Sequence, residues 1–189
     1  HRTPAFNFLS WVFSMNICMV QRGSEVIDAY DGQFDLIHAH DWLVARAALD
    51  LKGRYGKPLV STFHSTEAGR REGIHDGYQK TIHDVECQLA HQSDRLICCS
   101  EYMAKHVLQT FGVPMEKVDI IYNGVEASKF NFKIDARMVR ERYARPNEKI
   151  VLYVGRLVQE KGVHVLIGAM PMVLSVLPDV KLIIVGAVS

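Results

Sequence analysis

Short apolar runs alternate with longer amphipathic segments along this chain of 189 residues, and this alternation most constrains its fold. Amphipathic segments with helical spacing separate the apolar runs, which is typical of parallel βαβ units. Strands are predicted at 34–38, 58–63, 95–99, 118–122, 150–154 and 180–185. We therefore predict an α/β fold with parallel, Rossmann-like sheets.

The segments between the strands predict helices with recognisable caps. Helices are predicted at 6–20, 41–55, 78–91, 101–111 and 163–177. The first is expected to end near Gly23, and Asp41 and Ser100 are predicted N-caps of the helices that follow them. The periodicity weakens between 127 and 147, so we predict two domains, 1–126 and 148–189, joined by a linker and hinge region at 127–147.

Charge and cysteine content exclude several classes of protein. The formal net charge of +1 argues against a nucleic-acid binder, which usually carries a basic surplus. The apolar stretch 6–20 is shorter and more polar than a membrane span requires. The four cysteines include no C-x-x-C pair, so we expect no disulfide framework and a reducing, cytoplasmic location.

Polar residues follow the predicted strands at the edge where open parallel sheets bind ligands. The most informative segment is 155–162, in which Arg156 and Lys161 lead into a predicted helix N-terminus. Free backbone N–H groups and the helix dipole favour an anion there, and the two basic side chains suit a diphosphate. Gly155 is expected to free the turn after the strand, and Gly162 to relieve crowding at the start of the helix.

Four segments in this order resemble a known family. The segment 155–162 is similar to the diphosphate-binding loop of retaining glycosyltransferases with the two-domain GT-B fold, and 123–125 is a further mark of that family. The segments 38–42 and 62–67 resemble, more narrowly, the short archaeal and bacterial glycogen and starch synthases. The resemblance extends from about residue 34 onward. It implies a family 4 type enzyme that transfers glucose from UDP- or ADP-glucose to an α-1,4-glucan.

The resemblance also implies roles for individual residues. Arg156 and Lys161 would hold the donor diphosphate and stabilise its charge as the glycosidic bond breaks, and His40 would lie against the donor sugar. The remaining substrate-binding residues would be Gly155, His64, Ser65, Glu67, Arg70, Asn123 and Gly124. His64, Ser65, Glu67 and Arg70 would line the acceptor side, while Asp41 is interpreted as a cap rather than a base. No metal or other cofactor is expected, and neither is a nucleic-acid partner.

The chain departs from the family pattern at both ends, so we expect an incomplete GT-B fold. The family's pair of glutamates and its N-terminal glycine-rich loop do not occur in the chain. The range 1–126 would be the C-terminal part of the acceptor-side domain, and 148–189 the start of the nucleotide-sugar domain. The isolated chain is therefore expected to have little or no activity. The donor base and the oligomeric state stay open.

Three alternative functions remain open. The first is another nucleotide-sugar transferase, which would build a glycolipid, a lipopolysaccharide or a disaccharide such as sucrose. The second is a noncatalytic module that binds nucleotide sugars. The third is a metal hydrolase, because the His38-x-His40-Asp41 segment and His64 follow neighbouring strands, although later strands offer few suitable ligands.

Overall fold

The computed structural model describes residues 7–131 and 133–187. The chain divides into two compact units, His1–Gly124 and Val125–Ser189, and each contains its own parallel sheet. The predicted α/β class with parallel sheets is confirmed. The hinge role of 127–147 stays a prediction.

The sheet of unit 1 has four parallel strands in the order β1-β2-β3-β4. Their bounds are Ile37–His40, Leu59–Phe63, Arg95–Cys98 and Val118–Ile120. Because sequential strands are spatial neighbours and run in the same direction, their carboxyl ends meet at one edge of the sheet. Residues that directly follow β1, β2 and β3 therefore lie side by side.

Five α-helices accompany these strands in the described part of unit 1. They are α1 Phe8–Ala29, α2 Ala45–Tyr55, α3 Glu67–Arg71, α4 Gly77–Gln92 and α5 Glu101–Phe111, with 3-10 turns at Trp42–Val44 and Met115–Lys117. Buried side chains of the strands and of α2, α4 and α5 form the core. Its large members include Leu59, Phe63, Leu89, Leu96 and Val107. Burial of such side chains is the main term that stabilises the sheet.

Helix α5 confirms its predicted bounds and cap. Ser100 Oγ accepts a hydrogen bond from the Met103 N–H at 3.1 Å. Gly112 ends the helix in the left-handed conformation, with φ of +64°. Local sequence signals therefore determine both ends of this helix.

Helix α1 differs from the prediction, because it continues past Gly23 to Ala29. An added Cβ at Gly23 would lie 3.0 Å from Leu51 Cδ1 of α2. Glycine is therefore suited to close packing of the two helices rather than to a helix end. Residue 6, where the helix was predicted to begin, lies outside the described residues.

The first and fourth strands are also displaced from the predicted positions. β1 begins at Ile37 rather than at residue 34, and Phe34 packs edge-on against Tyr55 of α2, with ring centroids 5.9 Å apart. β4 ends at Ile120, so Asn123 lies beyond the strand rather than at its end. As a result, both histidines of the 38–40 segment lie within β1.

Unit 2 contains a single βαβ arrangement preceded by short helical segments. The elements are a 3-10 turn Ala127–Phe130, α6 Ala136–Glu141, β5 Lys149–Val154, a 3-10 turn Gln159–Lys161, α7 Val163–Val176 and β6 Val180–Val185. β5 and β6 pair in parallel, with Lys149 opposite Val180. The connection through α7 places the predicted diphosphate loop between β5 and that helix.

None of the helices in the described residues combines the length and apolarity that a membrane span requires. The four cysteines, Cys18, Cys87, Cys98 and Cys99, are all free thiols. The core of unit 1 is therefore held together by packing and hydrogen bonds, without disulfide links.

Candidate functional site

Three histidines meet at the carboxyl edge of the unit 1 sheet. β1 places His38 and His40 on one face, because alternate residues of a strand point the same way, while Ala39 is buried on the other. His64 directly follows the neighbouring strand β2. His40 Nδ1 lies 3.0 Å from His64 Nε2, and the ring centroids are 5.3 Å apart. Strand order thus brings together two predicted site residues.

His38 packs against this pair. Its ring centroid is 4.4 Å from that of His40, and its Nε2 is 2.8 Å from Thr62 Oγ1. Burial lowers the pKa of His38, and the positive charge that His40 and His64 can carry lowers it further. The neutral ring is therefore favoured, and His38 adds little positive charge beside His40.

A thiol extends the row of side chains to the third strand. Cys99 follows β3, and its Sγ lies 3.6 Å from His64 Nδ1. Cys99 is partly exposed, whereas Cys98 is buried, and burial raises the pKa of the Cys98 thiol to about 11. The sequence interpretation did not include Cys99 in the site. Its position directly after β3 was the signal that could have revealed it.

The prediction that Asp41 caps the following helix is wrong. Its side chain makes no capping bond, and Oδ1 instead accepts hydrogen bonds from the backbone N–H groups of His64 at 2.8 Å and Ser65 at 3.5 Å. The Asp41 N–H donates to the Thr62 carbonyl at 2.9 Å, and the chain then turns with φ of +57° at Asp41. This conformation is costly for a residue other than glycine. Asp41 therefore links β1 to the loop after β2.

Glu67 and Arg70 bond to other protein groups at helix α3. Glu67 is buried, and its Oε2 accepts a hydrogen bond from Arg70 Nη2 at 2.7 Å. Arg70 Nη1 donates to Ser65 Oγ, also at 2.7 Å. Three residues predicted for the acceptor side thus form one cluster. Their acceptor role stays a prediction, and their mutual bonds orient the loop that carries His64.

A fully buried carboxylate on α4, Glu86, supports this cluster and was missed by the sequence interpretation. Its two oxygens accept the Glu67 N–H at 2.9 and 3.0 Å, and Arg70 Nη2 lies 3.4 Å from its Oε1. Burial raises the pKa of Glu86 to about 7, although the hydrogen bond from Glu67 and the Arg70 charge oppose the shift. Glu86 lies four residues after Ile82 and three before Leu89, within the apolar stripe of the helix. That placement was the available signal.

We expect the free energy of unfolding to fall as the pH rises from about 4.5 to about 7, because of Glu86. Between these values folded Glu86 keeps a proton that the unfolded chain has lost. The stabilisation is therefore fully present below the unfolded pKa and is lost as the pH rises through the folded pKa. The shift corresponds to roughly 3 kcal/mol, and urea unfolding across this pH range measures it.

The Glu86→Gln variant should lack this part of the pH dependence, because glutamine does not titrate. Asp84→Asn is the matched control, since Asp84 lies on the same helix but is exposed and pairs with Lys80 at 2.9 Å. The control should keep the wild-type slope. A Glu86→Gln slope equal to that of the wild type would show that Glu86 does not carry the effect.

The predicted turn at Asn123 and Gly124 is exposed beyond β4. The adjacent Tyr122 hydroxyl lies 3.4 Å from Glu101 Oε1, at the start of α5. The structure therefore places this turn after the fourth strand without a bond to the histidines. Its substrate-binding role stays a prediction.

The loop between β5 and α7 carries the predicted diphosphate-binding residues of unit 2. Arg156 and Lys161 are exposed, and Arg156 Nη2 lies 3.3 Å from Glu160 Oε1. Gly162 follows the 3-10 turn and precedes α7. The two basic residues therefore lie within the loop that leads into a helix N-terminus, where an anion is favoured.

Glycines shape this loop, for reasons that differ from those predicted. Gly162 has open space around its Cβ position and φ of +67°, so the left-handed conformation rather than crowding selects glycine. At Gly155 a Cβ would lie 3.0 Å from the Tyr153 hydroxyl, which itself donates to the Arg156 carbonyl at 2.9 Å. At Gly186, after β6, a Cβ would overlap the Gly155 carbonyl oxygen. Close backbone contact therefore fixes the start of the loop.

Comparison with known proteins identifies the family. The model of Glycosyltransferase Family 4 matches residues 1–129, and that of Glycosyl transferases group 1 matches residues 136–189. The chain belongs to glycosyltransferase family 4. The first match contains the histidine cluster of unit 1, and the second contains the basic loop of unit 2.

Individual relatives of this family 4 chain support the assignment. It is 35% identical over 184 residues to a glycogen synthase of Mycobacterium tuberculosis, which covers 95% of the chain and 43% of the relative. It is 31% identical over 159 residues to a D-inositol 3-phosphate glycosyltransferase of Segniliparus rotundus. This alignment covers 82% of the chain and 35% of the relative. The chain thus spans less than half the length of these relatives.

A solved structure with the same fold is that of Anabaena HepE in complex with UDP and glucose. It aligns with a TM-score of 0.70 at 24% identity, over 87% of this chain and 43% of HepE. The similarity shows the fold. Together with the two family models, it confirms the predicted resemblance to GT-B glycosyltransferases.

The metal-hydrolase alternative requires a cluster of side chains that could hold a metal ion. Among the residues that the structure describes, no group of three or more His, Cys, Asp or Glu side chains could hold a metal ion. Helix α4 also carries His83, Cys87 and His91 at spacings of four residues. The Nε2 atom of His91 lies 2.9 Å from the Phe111 carbonyl oxygen. That ring therefore already has a protein partner.

Proposed function

We propose that the protein transfers glucose from a nucleoside diphosphate glucose to the nonreducing end of an α-1,4-glucan, with retention at the anomeric carbon. The observation that carries the proposal is the pair of exposed basic residues, Arg156 and Lys161, in a loop that leads into the N-terminus of α7. The 35% identity to a glycogen synthase supports a glucan as the acceptor. We also propose a cytoplasmic location, in line with the free thiols.

The chemistry explains why a basic loop matters. When the bond between the anomeric carbon and the diphosphate breaks, negative charge grows on the departing diphosphate. Arg156 and Lys161 stabilise that charge more in the transition state than in the bound substrate, which accelerates the reaction. The planar guanidinium of Arg156 suits two phosphate oxygens, while Lys161 supplies a mobile point charge. No metal ion is needed in this scheme.

Unit 1 contributes the sugar and acceptor contacts in this proposal. His40 lies against the donor sugar, and His64 and Ser65 lie on the acceptor side. Glu67 and Arg70 are already bonded to each other, so they act by holding the loop after β2 in place. Asn123 contributes to substrate binding from the turn after β4, together with Gly124.

A panel of donors and acceptors tests this function in the whole protein, including any residues outside this chain. Release of nucleoside diphosphate from UDP-glucose or ADP-glucose should require an α-1,4-glucan and should persist in the presence of EDTA. Release that required inositol phosphate, a sugar phosphate or a lipid acceptor would replace the glucan with another acceptor. Donor binding without release would indicate a noncatalytic module.

A further inference from the structure

The hydrogen-bonded row from Cys99 through His64 to His40 constrains where the protons lie. His64 Nδ1 faces Cys99 Sγ at 3.6 Å, and His64 Nε2 faces His40 Nδ1 at 3.0 Å. His40 Nε2 makes no hydrogen bond with any residue that the structure describes. A neutral imidazole carries one N–H, and the tautomer of each ring is set by the bond at its other nitrogen. The position of the proton between Cys99 and His64 therefore influences the tautomer of His40.

With His40 neutral and no net charge on the three groups, three proton arrangements fit the two contacts, and two of them give the same result at His40. In the first, the Cys99 S–H donates to His64 Nδ1, and His64 Nε2–H donates to His40 Nδ1. In the second, a Cys99 thiolate accepts from His64 Nδ1–H, and an imidazolium His64 again donates to His40 Nδ1. In both, the proton of neutral His40 is on Nε2.

The third arrangement reverses both bonds and is less favourable. It requires the Cys99 sulfur to accept a hydrogen bond from His64 Nδ1–H, although a neutral thiol sulfur is a weak acceptor and an imidazole nitrogen is a good one. It also places both rings in the Nδ1–H form, whereas neutral histidine in water prefers Nε2–H. The neighbouring His38 makes its own hydrogen bond outside this series, because its Nε2 lies 2.8 Å from Thr62 Oγ1.

We propose that Cys99 and His64 are positioning residues that fix His40 in its Nε2–H tautomer, so that His40 presents a hydrogen-bond donor rather than an acceptor. The consequence for catalysis rests on the proposed function: Nε2–H donates to an oxygen of the donor sugar. The loop supports the geometry, because the Asp41 carboxylate accepts the His64 N–H at 2.8 Å. The site would then discriminate against sugars that lack an oxygen at that position.

The first test is direct NMR of the tautomer in the whole protein labelled with ¹⁵N-histidine. Long-range proton–nitrogen spectra distinguish a protonated from an unprotonated Nδ1 in each ring, and loss of a signal in His40→Gln assigns it. We expect unprotonated Nδ1 and protonated Nε2 at His40 in the wild type. An Nδ1–H form of His40 would overturn the proposal, whether or not the protein transfers sugar.

Variants of Cys99 test whether its thiol sets the tautomer of His40 through His64. Cys99→Val removes the donor, so the His40 signal should shift toward a mixture of tautomers, while Cys99→Ser keeps an O–H donor and should restore the wild-type form. Cys18→Val is the control, since Cys18 lies on α1. If sugar transfer is found, Cys99→Val should lower kcat/KM for the donor by about threefold to tenfold, with recovery in Cys99→Ser. An unchanged His40 spectrum in Cys99→Val would show that the thiol does not set the tautomer.

Discussion

Arg156→Ala and Lys161→Ala should each lower the kcat of the whole protein by roughly a hundredfold to a thousandfold. Each change removes a positive charge that stabilises the departing diphosphate more in the transition state than in the bound substrate. Turnover should therefore fall more than substrate affinity. Steady-state kinetics with the preferred donor measures both. Arg156→Lys should retain more activity than Arg156→Ala but less than the wild type, because lysine lacks the planar fork.

A matched control for Arg156 exists within unit 2. Arg137 is also exposed and pairs with a glutamate four residues later, with Arg137 Nε 3.1 Å from Glu141 Oε1. Arg137→Ala therefore removes the same kind of side chain and ion pair outside the predicted loop, and we expect near-normal turnover. If Arg156→Ala and Lys161→Ala also stayed within about twofold of the wild type while folded, the diphosphate assignment would be incorrect.

Gly186→Ala should have the second large effect, on both stability and donor binding. The added methyl group would overlap the Gly155 carbonyl oxygen, so the backbone has to move. Two hydrogen bonds flank this contact, from Gly155 N–H to the Val185 carbonyl and from Leu157 N–H to the Ala187 carbonyl, each at 3.0 Å. Separation of the two segments strains or breaks both bonds, which should cost about 2 to 3 kcal/mol.

The same displacement moves the segment that precedes Arg156. We therefore expect affinity for nucleoside diphosphate to fall at least about tenfold in Gly186→Ala, measured by calorimetry. Gly168→Ala is the control, because Gly168 lies inside α7 with nothing within 4 Å of its Cβ position. Alanine favours a helix, so the control should be neutral or slightly stabilising. Equal stability of the two variants would contradict the close-contact argument.

Local sequence signals were sufficient for the elements whose ends are determined locally. The Ser100 cap and Gly112 were sufficient to predict the bounds of α5. Glycines and charged residues next to a strand were sufficient to predict the loop 155–162. The alternation of apolar and amphipathic segments was also sufficient for the parallel sheets, because each strand had its own apolar run.

Features that depend on contacts distant in sequence were not predictable in the same way. Gly23 was predicted to end a helix, yet it allows close packing of α1 against Leu51 of α2. Asp41 was predicted to be a helix cap, yet its carboxylate accepts a hydrogen bond from the loop after β2. Glu86 lies in the apolar stripe of α4, yet its carboxyl group bonds to residues of α3. Such contacts join residues from 16 positions apart, for Arg70 and Glu86, to 28 positions apart, for Gly23 and Leu51, which no local pattern encodes.

The most direct measurement of the central claim is transfer of labelled glucose by the whole protein from UDP-glucose or ADP-glucose to glycogen, followed by NMR of the new glycosidic bond. The account predicts label in the polymer through an α-1,4 linkage, which shows both the acceptor and retention at the anomeric carbon. A β-linked product would contradict retention. The absence of label in any glucan with either donor, from folded protein, would contradict the proposed function itself.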